Sequence, residues 1–408
     1  MTTPAITFAG IDWGASEHRV CIVDHDGRTL LNERIDHDRG GLERLLSLLR
    51  RHAIGAAPRV AIERPNGVLV DTLSEAGFPV VPIHPNAVKA TRSRYRAASS
   101  KNDASDAYLL ADVLRTDGHR FLDLRPRGDE MRAIRRLSRA RSDLVKQRVA
   151  LTNQLAASLQ SSWPGAEALF ADLASPIALA FLERYPSPGD AKGLGLKRML
   201  AFLKRNRYSG RQDARALIDH LKAAPASHDG ALEAEASREV VRSLTRILTT
   251  LVQRIKDLTS ALEHASEQSA MGRLVMSFPR TGRTNAAQIV AELGDDPGRF
   301  SNRDQLASEA GLTPVTRASG KRHTVGFRYA CNKTLRSAFT TWANNSRKAS
   351  PWAERIYQQA RARGCRHPHA TRILARAWAR VLHACWTTGS LYDAERHAIT
   401  SHQNAPTG

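Results

Sequence analysis

Residues 7–24 read TFAGIDWGASEHRVCIVD. Apolar and β-branched positions alternate on both sides of a short polar hinge, the pattern of a β-hairpin, so a buried strand is expected to end on Asp12, turn at Gly14 and return from His18. Asp12 then stands at a strand edge. Further along, TLLNERID (residues 29–36) predicts a third strand, and Gly40 and Gly41 precede LERLLSLLR, whose apolar spacing is helical. RVAIE (residues 59–63) predicts a buried strand, a helix is expected from about Asn66 to Glu75, and PVVPIH predicts a fifth strand.

Three strands followed by alternating helices and strands is the element order of an RNase-H-like α/β fold. Glu63 closes one of those strands. Asp103 and Asp106 stand three apart in SKNDASDAYLLAD, on one face of a predicted helix, whereas Asp112 is expected to be a surface acid. If the strands of Asp12 and Glu63 are neighbours, four carboxylates converge, and clustered carboxylates repel unless a hard divalent cation takes their oxygens. Residues 85–101 hold Lys89, Arg92, Arg94, Arg96 and Lys101 without an acid, which suits a nucleic-acid backbone beside the carboxylates. Tyr95 is placed either to stack on a base or to pack in the core.

The charge is lopsided. Of the formal +21, residues 1–120 contribute 16 Lys/Arg against 15 Asp/Glu, so nearly all of the excess lies behind them. Residues 315–385 hold 15 Lys/Arg and one acid, Glu354. A field of that sign and density suits a polyanion, because each neutralised phosphate releases counterions. The 408 residues are enough for two or three cores. No apolar run approaches the roughly 18 residues of a membrane helix, and the first residues carry no secretion signal. Cys21, Cys331, Cys365 and Cys385 show no CxxC spacing, which fits a reduced cytoplasm.

Behind residue 120 the pattern turns helical. Residues 128–162 predict one long helix with Leu137, Leu144 and Leu151 at heptad interval, and Val241, Leu244, Leu248, Leu251, Ile255, Leu258 and Leu262 alternate spacings of three and four, a coiled-coil stripe. These two helices pair either within the chain or between subunits. Short helices broken by WPG, YPSPG and YSG are expected between them, and KGLGLKRMLAFLKRNRY there either grips nucleic acid or is a solvated face. SFPRTGRTNAAQIVAEL has the form of a helix-hairpin-helix element, with Arg280 and Arg283 around Gly282 and backbone N–H groups that can meet a phosphate. A plain helix start after Pro279 is the alternative. Ser319 is expected in a loop, followed by Gly320 and Lys321 among Arg317, Arg322, His323 and Arg328. A serine hydroxyl becomes a nucleophile when its oxyanion is stabilised and its electrophile held in line, and clustered cations do both for a phosphodiester. Cys365, His367 and His369 alternate as CxHxH without the second ligand pair of a zinc site.

The order of GIDWG, AIE, KNDASDA, SFPRTGRTNAA, AGLTP and RASGK resembles the DEDD transposases of bacterial insertion sequences, the one-ten family. That resemblance implies a resolvase-like domain over residues 1–120 whose Asp12, Glu63, Asp103 and Asp106 bind Mg2+, and a helical, coiled-coil region over 121–270. It also implies a mainly α transposase domain over 271–395 in which Ser319 attacks DNA and forms a phosphoserine link, and a tail over 396–408. Its further implications are a structured guide RNA that pairs with donor and target DNA, a homo-oligomer (dimer or tetramer) whose catalytic site can draw on two subunits, and a nucleoid-associated location in the cytoplasm. The PRTG turn departs from the family's more Gly-rich form at Arg280. Two other readings compete: a metal-dependent Holliday-junction nuclease in which water attacks, and a non-catalytic nucleic-acid-binding protein. GIDWG also resembles the first phosphate loop of the actin, chaperone and sugar-kinase superfamily, but the second Gly-rich loop of those proteins has no counterpart here.

Overall fold

The computed structural model describes residues 6–91, 103–125, 127–226, 228–319 and 322–395, with backbone alone at Arg317 and Arg322. The chain divides between Pro126 and Arg127 into two compact units.

In the first unit β1 (Phe8–Trp13), β2 (Glu17–Val23) and β3 (Thr29–Asp36) form an antiparallel meander. α1 (Arg39–Arg51), β4 (Arg59–Ile62), α2 (Val68–Glu75), β5 (Val80–Pro82), α3 (Pro85–Thr91) and α4 (Asp103–Asp117) follow. β4 lies parallel to β1 and β5 parallel to β4, giving the order β3-β2-β1-β4-β5. This mixed α/β sheet is consistent with an RNase-H-like start. Helix α1 begins earlier than its apolar period indicates: Asp38 caps it by accepting from the Gly41 N–H at 2.7 Å, so Gly40 and Gly41 lie in its first turn.

The alternation of β1 sorts its residues between two layers. Ala9 and Ile11 join Val20, Ile22, Val60 and Ile62 against Leu45 and Leu49 of α1 and Leu69 and Leu73 of α2. Gly10 faces α4, where a Cβ would come within 2.1 Å of the Ala107 carbonyl oxygen and 2.4 Å of the Ala111 nitrogen. A missing side chain on the strand therefore lets the helix backbone seat on it. Asp112, expected at the surface, is buried and ion-paired with Arg115 at 2.7 Å. α4 is buried from Leu109 to Leu114 around most of its circumference, so position 112 has no open side and its charge needs a partner.

The second unit is mostly helical: α5 (Asp129–Ser162), α6 (Pro164–Glu167), α7 (Pro176–Arg184), α8 (Leu196–Arg205), α9 (Ala214–Ala223), α10 (Ala231–Gln268), α11 (Ala270–Met276), α12 (Arg283–Leu293), α13 (Arg303–Glu309), the hairpin β6 (Val315–Ser319) and β7 (Arg322–Gly326), α14 (Lys333–Ser346), α15 (Pro351–Ala362) and α16 (His367–Thr388). The two long helices, α5 and α10, pack on each other within the chain. The apolar stripe of α10 is shared between two cores. Val241 and Leu248 pack with α6–α9, and Leu262 packs with α11–α16, where Trp342 and Trp378 stack at 5.1 Å. Among the described residues no helix is long and apolar enough to cross a membrane.

Candidate active site and nucleic-acid interface

β1 and β4 run in register up to Ile11 beside Ile62, so the next positions, Asp12 and Glu63, come side by side at the carboxyl ends of parallel strands. Gly10 and Ala61 are registered partners on the α4 side, and side chains alternate along a strand, so Asp12 of β1 faces that side too, while Glu63 follows directly on the end of β4. Phe8 packs with the cluster of Leu110 and Leu114 while Gly10 touches Ala107 and Ala111. α4 therefore runs against β1, and its first turn, with Asp103 and Asp106, overlies the Asp12 end. Asp12, Glu63 and Asp106 are half-buried and Asp103 is exposed. Among the described residues no three His, Cys, Asp or Glu side chains form a group that could hold a metal ion. Asp12 and Glu63 follow the last paired positions of β1 and β4, Asp103 and Asp106 stand in the first turn of α4, and the four do not close into a ligand set.

Two contacts that residue-type reasoning did not single out hold this edge. Arg19, the β-ladder partner of Asp12, donates from Nε to Asn32 Oδ1 at 2.6 Å and from Nη2 to Asn32 O at 2.9 Å. Asn32 Nδ2 in turn donates to the Ala104 carbonyl at 3.2 Å, which ties β3 to the turn that carries Asp103. On the opposite face Arg64 lies over the Trp13 ring, 4.4 Å from its centre, and joins the ends of β1 and β4 through the residues that follow the two acids. Only the tandem placement Asp-Trp and Glu-Arg hinted at this. Beside Trp13, His18 is buried, and its Nε2 lies 2.8 Å from His37 Nδ1. Burial, then the His37 charge, lowers the His18 pKa to about 4.

Of the basic run in this unit, Lys89 is exposed on α3; Arg92, Arg94, Tyr95, Arg96 and Lys101 lie outside the described residues.

In the second unit Ser319 ends β6, exposed, as the ladder partner of Arg322, and not in a loop as expected. The alternating, β-branched residues on both sides of Gly320 pair into a ribbon that carries the serine at its end. Arg317 is opposite Thr324, and Lys321 lies outside the described residues. Arg328 is tied to the base of the ribbon, with Nε donating to Thr313 O at 3.3 Å and Nη2 to Pro314 O at 3.4 Å. These bonds tie it to the segment just before β6. In the turn between α11 and α12, Gly282 (φ 76°) caps α12 and Arg280 takes φ 54°, a left-handed conformation that glycine adopts without penalty. Arg280 is exposed, whereas Arg283 is paired with Glu267 at 2.8 Å.

A mixed sheet with acids at the ends of β1 and β4 and in the first turn of α4, followed by long helices and a cationic rear, is the frame of a chain that comparison with known proteins places among DEDD-type transposases. Residues 9–164 match the transposase profile of the IS110 DEDD type, and residues 272–358 match that of the transposase IS116/IS110/IS902 family. The chain is 35% identical over 406 residues to a protein described as the mini-circle putative transposase for IS117 of Streptomyces coelicolor, covering 95% of this chain and 96% of the relative. It is 28% identical to the IS900 42 kDa protein of Mycobacterium paratuberculosis (94% and 96% covered) and 28% identical to the IS116 44.8 kDa protein of Streptomyces clavuligerus (92% and 94%). The chain belongs to the IS110/IS116 family of insertion-sequence transposases, enzymes that cut and rejoin DNA.

Proposed function

We propose that this transposase moves its element through a phosphoserine intermediate, with an RNase-H-like amino-terminal domain supplying the acids and Ser319 the nucleophile. The observation that supports this most is that Asp12 and Glu63 each directly follow the last registered pair of β1 and β4, Ile11 and Ile62, on a sheet whose Gly10 seats α4. The donor set is hard oxygen only, which suits Mg2+ held by Asp12, Glu63, Asp103 and Asp106. When bound, the ion would neutralise charge on a non-bridging phosphate oxygen. Ser319 Oγ forms a bond to phosphorus as the bond to the 3′ oxygen breaks; the serine proton passes to solvent and the departing oxygen leaves as a 3′ hydroxyl. A second 3′ hydroxyl then displaces the serine, and no outside energy source is needed because the phosphoester link conserves the bond. Arg317, Lys321 and Arg322 flank the serine in sequence and would balance the charge gathering on the phosphate oxygens, while Lys89, Arg92, Arg94, Arg96 and Arg280 would hold the DNA backbone. The reading includes donor and target DNA, a structured guide RNA and further copies of the chain as partners, at the nucleoid.

The test is capture of a covalent protein–DNA adduct on a strand of the element's end in Mg2+. Wild type forms the adduct, Ser319→Ala does not, and Asp12→Asn loses cleavage. An adduct in Ser319→Ala removes the serine; cleavage without any adduct in wild type selects the water-attacking nuclease.

A further inference from the structure

Where β7 ends, Phe327 opens onto a groove of about 620 Å³ between α14 and the start of α16. Its lining includes Lys333, Arg336 and Asn344 of α14 and His367 and Arg372 of α16. The guanidinium carbons of Arg336 and Arg372 lie 4.6 and 4.8 Å from the centre of the Phe327 ring, so two cations share one aromatic. Burial, then the Arg336 charge, holds Arg372 below the ordinary arginine range. Other arginines of this unit are neutralised: Arg347 by Glu354, and Arg376 and Arg380 by Asp304. Among the described residues no carboxylate pairs with Lys333, Arg336 or Arg372. Like charges so placed repel, and an anion between them removes the penalty.

A second aromatic, outside the lining itself, stands against Phe327. Tyr329 is 76% exposed, and its ring meets Phe327 edge-on at 4.9 Å, leaving a face open to solvent. Cations for phosphate beside a free aromatic face for a base is the composition that receives an unpaired strand, since the faces of paired bases are already stacked. The position is suited to the chemistry: Phe327 is five residues of extended chain from Arg322, the partner of Ser319, about 17 Å away.

We propose that the α14–α16 groove binds an unpaired nucleotide segment, with phosphates held by Lys333, Arg336 and Arg372 and one base stacked on Tyr329. This goes beyond the function proposed above and does not need Ser319 to be the nucleophile.

The test uses full-length protein carrying Ser319→Ala, so that no covalent capture contributes, and anisotropy of labelled oligo-dT, oligo-U and a duplex across a salt series. Arg336→Gln with Arg372→Gln should weaken unpaired-strand binding tenfold or more and reduce the slope of log K against log salt by about 1.4, the value for two phosphate contacts on a single strand. Arg336 also donates to the Arg328 carbonyl at 2.9 Å, so Ser337→Glu, an exposed change on the same groove, provides an acid without touching that bond and should weaken binding likewise. Tyr329→Ala should cost roughly tenfold on unpaired strands and little on duplex. Whichever of oligo-dT and oligo-U loses more on these changes identifies DNA or RNA as the source of the segment. Arg50→Gln with Arg51→Gln on α1 changes the net charge equally and should have little effect. Groove variants that bind no worse than this α1 control, or a Tyr329→Ala protein with unaltered binding of unpaired strands, would overturn the proposal.

Discussion

Gly10→Ala tests the architecture of the acidic edge with a single methyl group. Its backbone φ is not left-handed, so alanine costs nothing conformationally and the whole effect is steric. The new Cβ would lie 2.1 Å from Ala107 O, 2.4 Å from Ala111 N and 2.9 Å from Leu110 Cβ. An ordinary carbon–oxygen approach is about 3.3 Å, so α4 must retreat by about 1 Å. Because the obstacles at 2.1 and 2.4 Å are backbone atoms, no rotamer change relieves them. Overpacking of this kind costs about 1–3 kcal/mol, against about 0.8 kcal/mol recovered by burying the methyl. The urea midpoint of the first unit should fall accordingly. The functional loss should be larger, since the same retreat carries Asp103 and Asp106 away from Asp12 and Glu63, and a 1 Å misplacement costs on the order of a hundredfold in rate. Single-turnover strand cleavage with excess protein measures it directly. Ala111→Gly should not rescue the variant, because the clash is with the Ala111 nitrogen and not its methyl. Wild-type cleavage and midpoint in Gly10→Ala would refute the close seating of α4 on β1 and, with it, the proposal that the four acids act together.

Other consequences are open to measurement. Glu292, 4% exposed, accepts from Asn332 at 2.7 Å and faces Arg139 at 3.4 Å, with Arg127 and Arg299 capping the carbonyls around it. Glu292→Gln removes the counter-charge from this arginine cluster, whose Arg139 is half exposed, and should lower the urea stability of the second unit by about 1–3 kcal/mol. His18 titrates lower in the fold, at about 4, than its ordinary 6.5. The unfolded chain therefore takes up this proton first, and the stability of the first unit should fall as pH drops from about 6.5 through about 4; His18→Gln should flatten that slope in denaturation curves collected across the range. Trp13→Leu deletes the ring under Arg64 and should reduce cleavage more than it lowers the unfolding midpoint, whereas equal loss of both would make Trp13 only a core residue.

Local periodicity made much of the first unit legible. TLLNERID became β3 with the expected ends, and the GIDWG hairpin formed around its polar hinge, because alternation at period 2 is written in adjacent residues. Charge distribution, the long helices and the strand-end placement of Asp12 and Glu63 were readable for the same reason. Errors arose where an outcome depends on distant partners. Asp112 looked like a surface acid because nothing nearby in sequence shows that α4 is covered on nearly every side. Ser319 looked like a loop residue because glycine and cationic neighbours hide the pairing of β6 with β7. The intramolecular partners of two expected basic contacts were likewise invisible in the sequence: Arg328 donates to the Thr313 carbonyl and Arg283 pairs with Glu267.

The amino-acid sequence by itself therefore determined the order of elements, the inventory of acids and the cationic excess of the rear. Tertiary structure alone decided that α5 meets α10 within the chain, that Gly10 admits α4 onto β1 and that, among the described residues, Arg336 and Arg372 lack a carboxylate where Arg376 and Arg380 have one. The physical reason is that secondary-structure period is a property of neighbours along the chain, whereas burial and charge pairing depend on which remote segments fill the space beside a side chain.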